Sequence, residues 1–250
     1  MADAIKLEIP RFIFAGLAAT EPVDFAGKRW FVGERAGERY AVNFIPTQAQ
    51  RRVLLVCLRK DAGAITAAEL SDMFEQSTPM KRFIQTIKEL SRWKIAKVEG
   101  ESRGKPFRIF SGKFPSRSYG RVEWEFTKDY LTLYEQTPRQ AVYYPEGGLK
   151  VNLNKYPMVP MLMLAFSEWY SMNRTKPNAR KIPIRNALKY CPVELKQGNQ
   201  WHRDVKEPLD NALSLFGLRK TAQGWGEFSK QQIDLQRIFP KKKTKKRRRR

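Results

Sequence analysis

One histidine, two cysteines and no long apolar run are the scarcities that bound this 250-residue chain. A membrane-spanning helix needs roughly 18 or more apolar residues in a row. The longest apolar-rich stretch, Met158 to Phe166, is shorter than that and contains Pro160. The opening MADAIKLEIP carries Asp3 and Glu8 and no apolar signal core, so a cytoplasmic protein is expected, with no membrane partner. His202 stands alone, which excludes a two-histidine metal site. Cys57 and Cys191 lie far apart in apolar settings and read as buried free thiols. The run Gly100-Glu101-Ser102-Arg103-Gly104-Lys105-Pro106 fails twice as a phosphate cradle: one residue is missing between the glycines, and Pro106 replaces the hydroxyl residue. Acidic residues do not cluster as ligands for a two-metal nuclease would. The expectation is a non-enzyme with no catalytic residue, no cofactor and no metal.

What the chain has in excess is positive charge. Lys and Arg number 48 against 25 Asp and Glu, a formal charge of +23. The terminal KKKTKKRRRR holds nine of those cations; without it the balance is 39 to 25, still +14. The body is therefore basic in its own right, and such a field attracts a polyanion. A 42% hydrophobic and 12% aromatic content is enough to build real cores, so the body is not a disordered polycation.

Periodicity predicts an α+β chain of two tandem winged-helix domains, each of three helices and a β-wing, ending in a disordered basic tail. Residues 1–28 read as an irregular lead, 29–137 as the first domain, 138–148 as a linker rich in Pro and Gly, 149–238 as the second domain and 239–250 as the tail. The first domain opens with a hairpin, Arg29–Gly33 and Arg39–Phe44, turned at Ala36-Gly37. A helix starts at Pro46-Thr47-Gln48 and buries Val53, Leu54, Cys57 and Leu58. Thr66-Ala67-Ala68-Glu69 is a capping box that opens a short second helix. A third runs from about Pro79 to Trp93. Strands follow at Ile95–Val98, Arg108–Phe110 and Gly120–Thr127, with a basic loop at 99–106, and a short helix at 128–136. The second half repeats the order: a strand at Leu149–Leu153, then helices at 157–173, Pro183–Tyr190 and Asn199–Phe216, with a kink expected at Pro208. A hairpin of Leu218–Thr221 and Gly226–Phe228 completes it.

In a winged helix the third helix lies in the major groove and the wing reaches the backbone or minor groove. The candidate DNA-binding residues follow from that placement. On the first third helix, Met80, Phe83, Ile84, Ile87 and Leu90 make an apolar stripe, while Lys81, Gln85, Lys88 and Arg92, flanked by Arg82, make a second stripe on another face. Cations reach phosphates or guanine edges, and Gln pairs with adenine; the bland alternative is a solvated helix face. Arg103, Lys105 and Arg108 are the candidate wing contacts. In the second half they are Asn199, Arg203 and Lys206 on the third helix and Arg174, Lys176, Arg180 and Lys181 in the loop before the short helix. The tail contributes Lys241, Lys242, Lys243, Lys245, Lys246, Arg247, Arg248, Arg249 and Arg250 as a mobile cationic arm, whose binding is sequence-independent and salt-sensitive; a nuclear-import signal has the same composition.

Four passages carry a resemblance. They are RWFVGERAGERYAVNFIPTQAQRRVLLVCL, KRFIQTIKELSRWKIAKVEGESRGKPFRIFSG, LKVNLNKYPMVPMLMLAFSEWYSMN with the following KIPIRNALKYC, and RDVKEPLDNALSLFGLRKTAQGWGEF. In their order and spacing, over roughly residues 29–230, the chain resembles plasmid replication initiators built from two winged helices, of the broad-host-range, iteron-binding type. The resemblance implies binding to direct repeats at a plasmid origin, with both winged helices on one repeat. It also implies melting of an adjacent AT-rich stretch, recruitment of a host replicative helicase and initiator, dimerisation through the first domain to a homodimer, and binding of origin DNA by the monomer. The readout helices would be Pro79–Trp93 and Asn199–Phe216, and the protein would associate with plasmid or nucleoid. The KKKTKKRRRR terminus departs from the family pattern. Two other readings stay open beside this one: a winged-helix transcriptional regulator, and a basic RNA-binding protein driven by its tail.

Overall fold

Tight turns fix the first sheet. At Ala26-Gly27 and Ala36-Gly37 both residues have positive φ (54° and 73°, then 52° and 79°), the backbone that lets two antiparallel strands twist correctly through a two-residue loop. They link β2 (Glu21–Phe25), β3 (Lys28–Arg35) and β4 (Glu38–Val42). In this computed structural model the described residues are 4–59, 63–73, 79–112, 116–118, 120–145, 151–152, 155–173, 180–195, 197–236 and 238–239. β6 (Lys94–Glu99) joins β4 antiparallel, with Tyr40 opposite Lys97 and Val42 opposite Ile95. The short β7 (Ser102–Arg103) and β8 (Phe107–Arg108) pair with β6 in turn. Side chains alternate across this curled sheet. Tyr40, Val42 and Ile95 enter the main core. Trp30, Val32, Ala41 and Val98 form a small second cluster on the opposite face.

The stretch expected to be an irregular lead is regular. β1 (Ala4–Pro10) pairs along its whole length with β11 (Arg139–Pro145), and α1 (Arg11–Leu17) is buried from Phe12 to Leu17. β11 in turn occupies most of the stretch expected to be a linker. α1 crosses β3 so closely that a Cβ on Gly33 would lie 2.1 Å from the Ala15 carbonyl oxygen, so only glycine fits.

The helices of the first half start where the sequence signals them. Thr47 and Gln50 form a capping box at the start of α2 (Gln48–Arg59): the Thr47 N–H donates to Gln50 Oε1 at 2.9 Å, and the Gln50 N–H to Thr47 Oγ1 at 3.3 Å. Thr66 and Glu69 do the same for α3 (Ala67–Met73), which follows β5 (Ala64–Thr66). α4 (Pro79–Leu90) buries Phe83, Ile87 and Leu90. It ends three residues short of Trp93, because Asn43 receives the chain there. The Asn43 side chain donates to the Arg92 carbonyl at 3.0 Å and accepts from the Lys94 N–H at 2.7 Å. β5 pairs with β10 (Arg121–Glu123) and β10 with β9 (Ser116–Ser118), so this small sheet runs β5-β10-β9. α5 (Lys128–Gln136) starts at Thr127, whose side chain caps the Tyr130 N–H.

In the second half α6 (Val159–Asn173) is buried over most of its length. β12 (Lys181–Pro183) leads into α7 (Ile184–Ala187), and the helical stretch from Asn199 to Leu215 follows as α8 (Asn199–Trp201), a π-helical segment (His202–Lys206) and α9 (Glu207–Leu215). The kink expected at Pro208 takes this form: proline has no N–H for the regular ladder, and the wider turn just before it absorbs the mismatch. The hairpin expected at 218–228 is not formed. Residues 218–222 are irregular, and Gly224 opens α10 (Trp225–Lys230), whose Trp225 and Phe228 pack on Trp201 with ring centroids 5.5 and 4.8 Å apart. β13 (Gln232–Asp234) then pairs with β12. The strand expected at Leu149–Leu153 lies mostly outside the described residues.

One hydrophobic cluster runs through both halves, from Phe12 and Leu54 through Phe83 to Phe166 and Leu213. Buried polar groups stitch the same seam. Arg51 donates to the carbonyls of Pro46 (2.7 Å), Leu17 (2.6 Å) and Tyr190. Arg35 pairs with Glu168, which also accepts from the Tyr190 hydroxyl. Burial, with the Glu168 charge beside it, pushes the Tyr190 phenol well above its ordinary pKa. Among the described residues no helix is long and apolar enough to cross a membrane.

Candidate nucleic-acid interface

Among the described residues, α4 presents the largest coherent set of the expected contacts. Lys81, Arg82, Gln85 and Lys88 are all exposed, while Phe83 and Ile87 of the same helix are fully buried. The amphipathic helix is thus held by its apolar face, and its cations line one open wall. Arg92 is exposed as well, but it sits in the turn after the helix. Beside this wall the N-terminal end of α2 forms a shallow cleft with α4, lined by Thr47, Gln50, Lys81, Gln85 and Glu89. Glu89 is a carboxylate within a basic face. It accepts from Gln85 Nε2 at 3.1 Å and from Gln50 Nε2 at 2.9 Å. Charge counting passes over both Glu89 and Gln50; the i, i+4 spacing of Gln85 and Glu89 is the signal that could have found the first.

The loop expected as a wing lies in the larger sheet. Arg103 on β7 stacks its guanidinium 4.2 Å from the centre of the Trp30 ring, a contact that holds it against the sheet. Lys105 and Arg108 are exposed. The hairpin attached to the α3–α4 unit is instead β9–β10, through the β5 pairing. Its Arg121 is exposed and ion-paired with Glu123 at 2.7 Å.

The second half is less uniform. Lys181 is exposed, Arg180 half-buried, and Arg203 exposed with its Nε 2.9 Å from Asp204. Lys206 does not reach the surface. Its side chain is 4% exposed and its ammonium lies 2.5 Å from Asp210, itself 9% exposed. The reason lies in its partner: Asp210, one turn on, is buried and held by Thr221, and the i, i+4 pair draws the lysine inward. Lys206 is removed from the set of candidate contacts. Arg174, Lys176 and Lys241–Arg250 lie outside the described residues, as does the Asn199 side chain. Among the described residues no group of His, Cys, Asp and Glu is placed to hold a metal ion.

No family model matches the chain, and no curated protein matches it in sequence.

Proposed function

We propose that the protein binds double-stranded DNA through α4, and that it does so as a sequence-specific plasmid replication initiator. The observation that carries the binding is the exposed row Lys81, Arg82, Gln85 and Lys88 on a helix whose other face is buried. Four long side chains with cationic or amide ends on one rigid wall suit phosphates and base edges in a major groove. The order α2, β5, α3, α4, with β5 paired to the later hairpin β9–β10, supports reading the first half as a winged helix. The second half has the matching order of α6, β12, α7 and the 199–215 helix, without a hairpin wing in the expected place. The initiator role rests on the resemblance of the four passages. Under it the chain recognises origin repeats, promotes local melting and recruits host replication proteins, without catalytic chemistry of its own.

A tail-driven RNA-binding protein is the second reading, favoured by nine cations in the last ten residues. One pair of variants separates them. Selection from a random pool of duplexes supplies a preferred site, and the affinity ratio between that site and its scrambled form is then measured. Lys81→Glu with Lys88→Glu is expected to bring the ratio close to one. Deletion of 241–250 is expected to weaken binding to both duplexes and flatten the salt dependence, while the ratio survives. A ratio untouched by the charge reversal would refute binding through α4. Direct repeats of roughly 20 base pairs, two helical turns, beside the gene and an AT-rich block would support the origin assignment.

A further inference from the structure

We infer that Glu89 is a positioning residue that orients Gln85 to read adenine, an inference that rests on α4 being the DNA-reading helix. A chain of hydrogen bonds leads to Gln85 from the start of α2. The Thr47 N–H donates to Gln50 Oε1 at 2.9 Å, Gln50 Nε2 donates to Glu89 Oε2 at 2.9 Å, and Gln85 Nε2 donates to Glu89 Oε1 at 3.1 Å. Each link permits one orientation only. A backbone N–H must meet the amide oxygen of Gln50, which turns its nitrogen to Glu89. An ionised carboxylate accepts and never donates, so the nitrogen of Gln85 must face it too. Gln50 is 9% exposed, so the relay is anchored inside the protein while Gln85 stands on the surface.

The consequence is chemical. An unrestrained surface glutamine turns its amide either way and loses rotamer freedom on binding. Gln85 has one N–H engaged, leaving a second N–H and a free carbonyl. Adenine presents an acceptor, N7, and a donor, the N6 amino group, at its major-groove edge. The remaining N–H and the carbonyl of Gln85 match that pair in a preset orientation. The Glu89 charge has a second effect: it opposes any phosphate drawn to this level of the helix, so a complex formed by bulk charge alone is disfavoured there.

The test uses the full chain and a random-duplex selection, followed by affinity measurement on the selected site and on single-base variants of it. Relative to the wild type, Gln85→Ala is expected to abolish preference for adenine at one position, roughly tenfold, within the range of a bidentate amide–adenine pair. Glu89→Gln is expected to cut the preference at that same position by about the same factor, leave the others intact, and bind random duplex more tightly. Glu89→Asp keeps the charge but withdraws it from Gln85. It is expected to lose the adenine preference without the gain on random duplex, and it decides the matter if the Gln variant does not fold. Thermal melting monitors folding in each case. Equal losses at every position, or losses at different positions for Gln85 and Glu89, would overturn the inference while α4 binding stands. If Lys81→Glu with Lys88→Glu spares discrimination, it is the parent reading that fails.

Discussion

Lys206 offers the sharpest contrast between a cation proposed to bind DNA and one that builds the fold. Its ammonium is 2.5 Å from Asp210 Oδ2, and the two side chains are 4% and 9% exposed. The other oxygen of Asp210 accepts from both the N–H and the hydroxyl of Thr221, each at 2.7 Å. Removing the cation leaves a carboxylate buried with two neutral donors. Breaking a buried pair on one side costs about 3–5 kcal/mol; since the Thr221 donors remain, the expectation for Lys206→Met is about 3 kcal/mol. That is a large share of the total stability of about 5–15 kcal/mol usual for a domain. The loss is read as a lowered urea midpoint. Adding Asp210→Asn removes the stranded charge while keeping an acceptor for Thr221, so the double variant is expected to recover about 1–2 kcal/mol. On DNA, a lysine that neutralises one phosphate contributes about 0.9 to the slope of log K against log salt. Lys81→Ala is expected to lower that slope by about that much, and folded Lys206→Met to leave it unchanged. A stability loss below about 1 kcal/mol, or a slope reduced as by Lys81→Ala, would refute this account of Lys206.

Four more outcomes are expected. Gly33→Ala places a Cβ 2.1 Å from the Ala15 carbonyl oxygen and 2.8 Å from the Ala19 nitrogen, both backbone atoms that cannot turn aside; the cost is about 3 kcal/mol in urea unfolding. Arg51→Met strands three buried carbonyls on Leu17, Pro46 and Tyr190. Each costs about 1–3 kcal/mol, offset in part by removal of a buried cation, for a net loss of about 3 kcal/mol by the same measurement, with faster amide exchange around α1. Burial pushes the Cys191 thiol up to about 12 and the Cys57 thiol well above its ordinary value. Both thiols are therefore expected to resist iodoacetamide at pH 8 until urea unfolds the chain. In the unfolded chain the same thiols ionise near about 8.5, so their share of stability is fully present below that pH and is lost as pH rises toward 12. The check is a lower urea midpoint at pH 10 than at pH 7.

The elements legible in the sequence were those whose signals are local. Thr66 and Glu69 announce α3 within four residues, Ala36-Gly37 announces its turn, and the stripe of Phe83, Ile87 and Leu90 announces α4. What was not legible depends on partners far along the chain. Ala4–Pro10 alternates as a strand should, but β1 forms against residues 139–145, which proline and glycine nearby made look like a joint. Gly224 signals a turn, and it does break the chain. Trp201, however, offers Trp225 and Phe228 an aromatic surface that a hairpin would have left exposed, so α10 forms there instead. The strand β5, next to α3, pairs with the later hairpin β9–β10 and not with the hairpin that directly follows α4, a pairing no local signal announces. In the candidate site, the cations of α4 could be read from their spacing. Glu89 is signalled by its i, i+4 spacing from Gln85, but Gln50, which reaches it from another helix, is not.

The excess of positive charge is therefore not one property. Arg35, Arg51, Arg52 and Lys206 belong to the same count of 48 as Lys81 and Lys88. Arg51 and Arg52 are 1% exposed and spend their donors on backbone carbonyls, those of Tyr190 and Val151 among them; Arg35 spends its own on Glu168. A cation buried against an internal acceptor contributes to the long-range field but presents no exposed donor to a phosphate. Contact requires exposure and a rigid support together, and α4 supplies both: its cations face outward because Phe83 and Ile87 hold the opposite side. Net charge accordingly sets how fast a polyanion is drawn in. Under the proposed reading, base discrimination would fall to the few polar ends whose direction is fixed before DNA arrives, and Gln85, with its amide tied to Glu89, meets that condition.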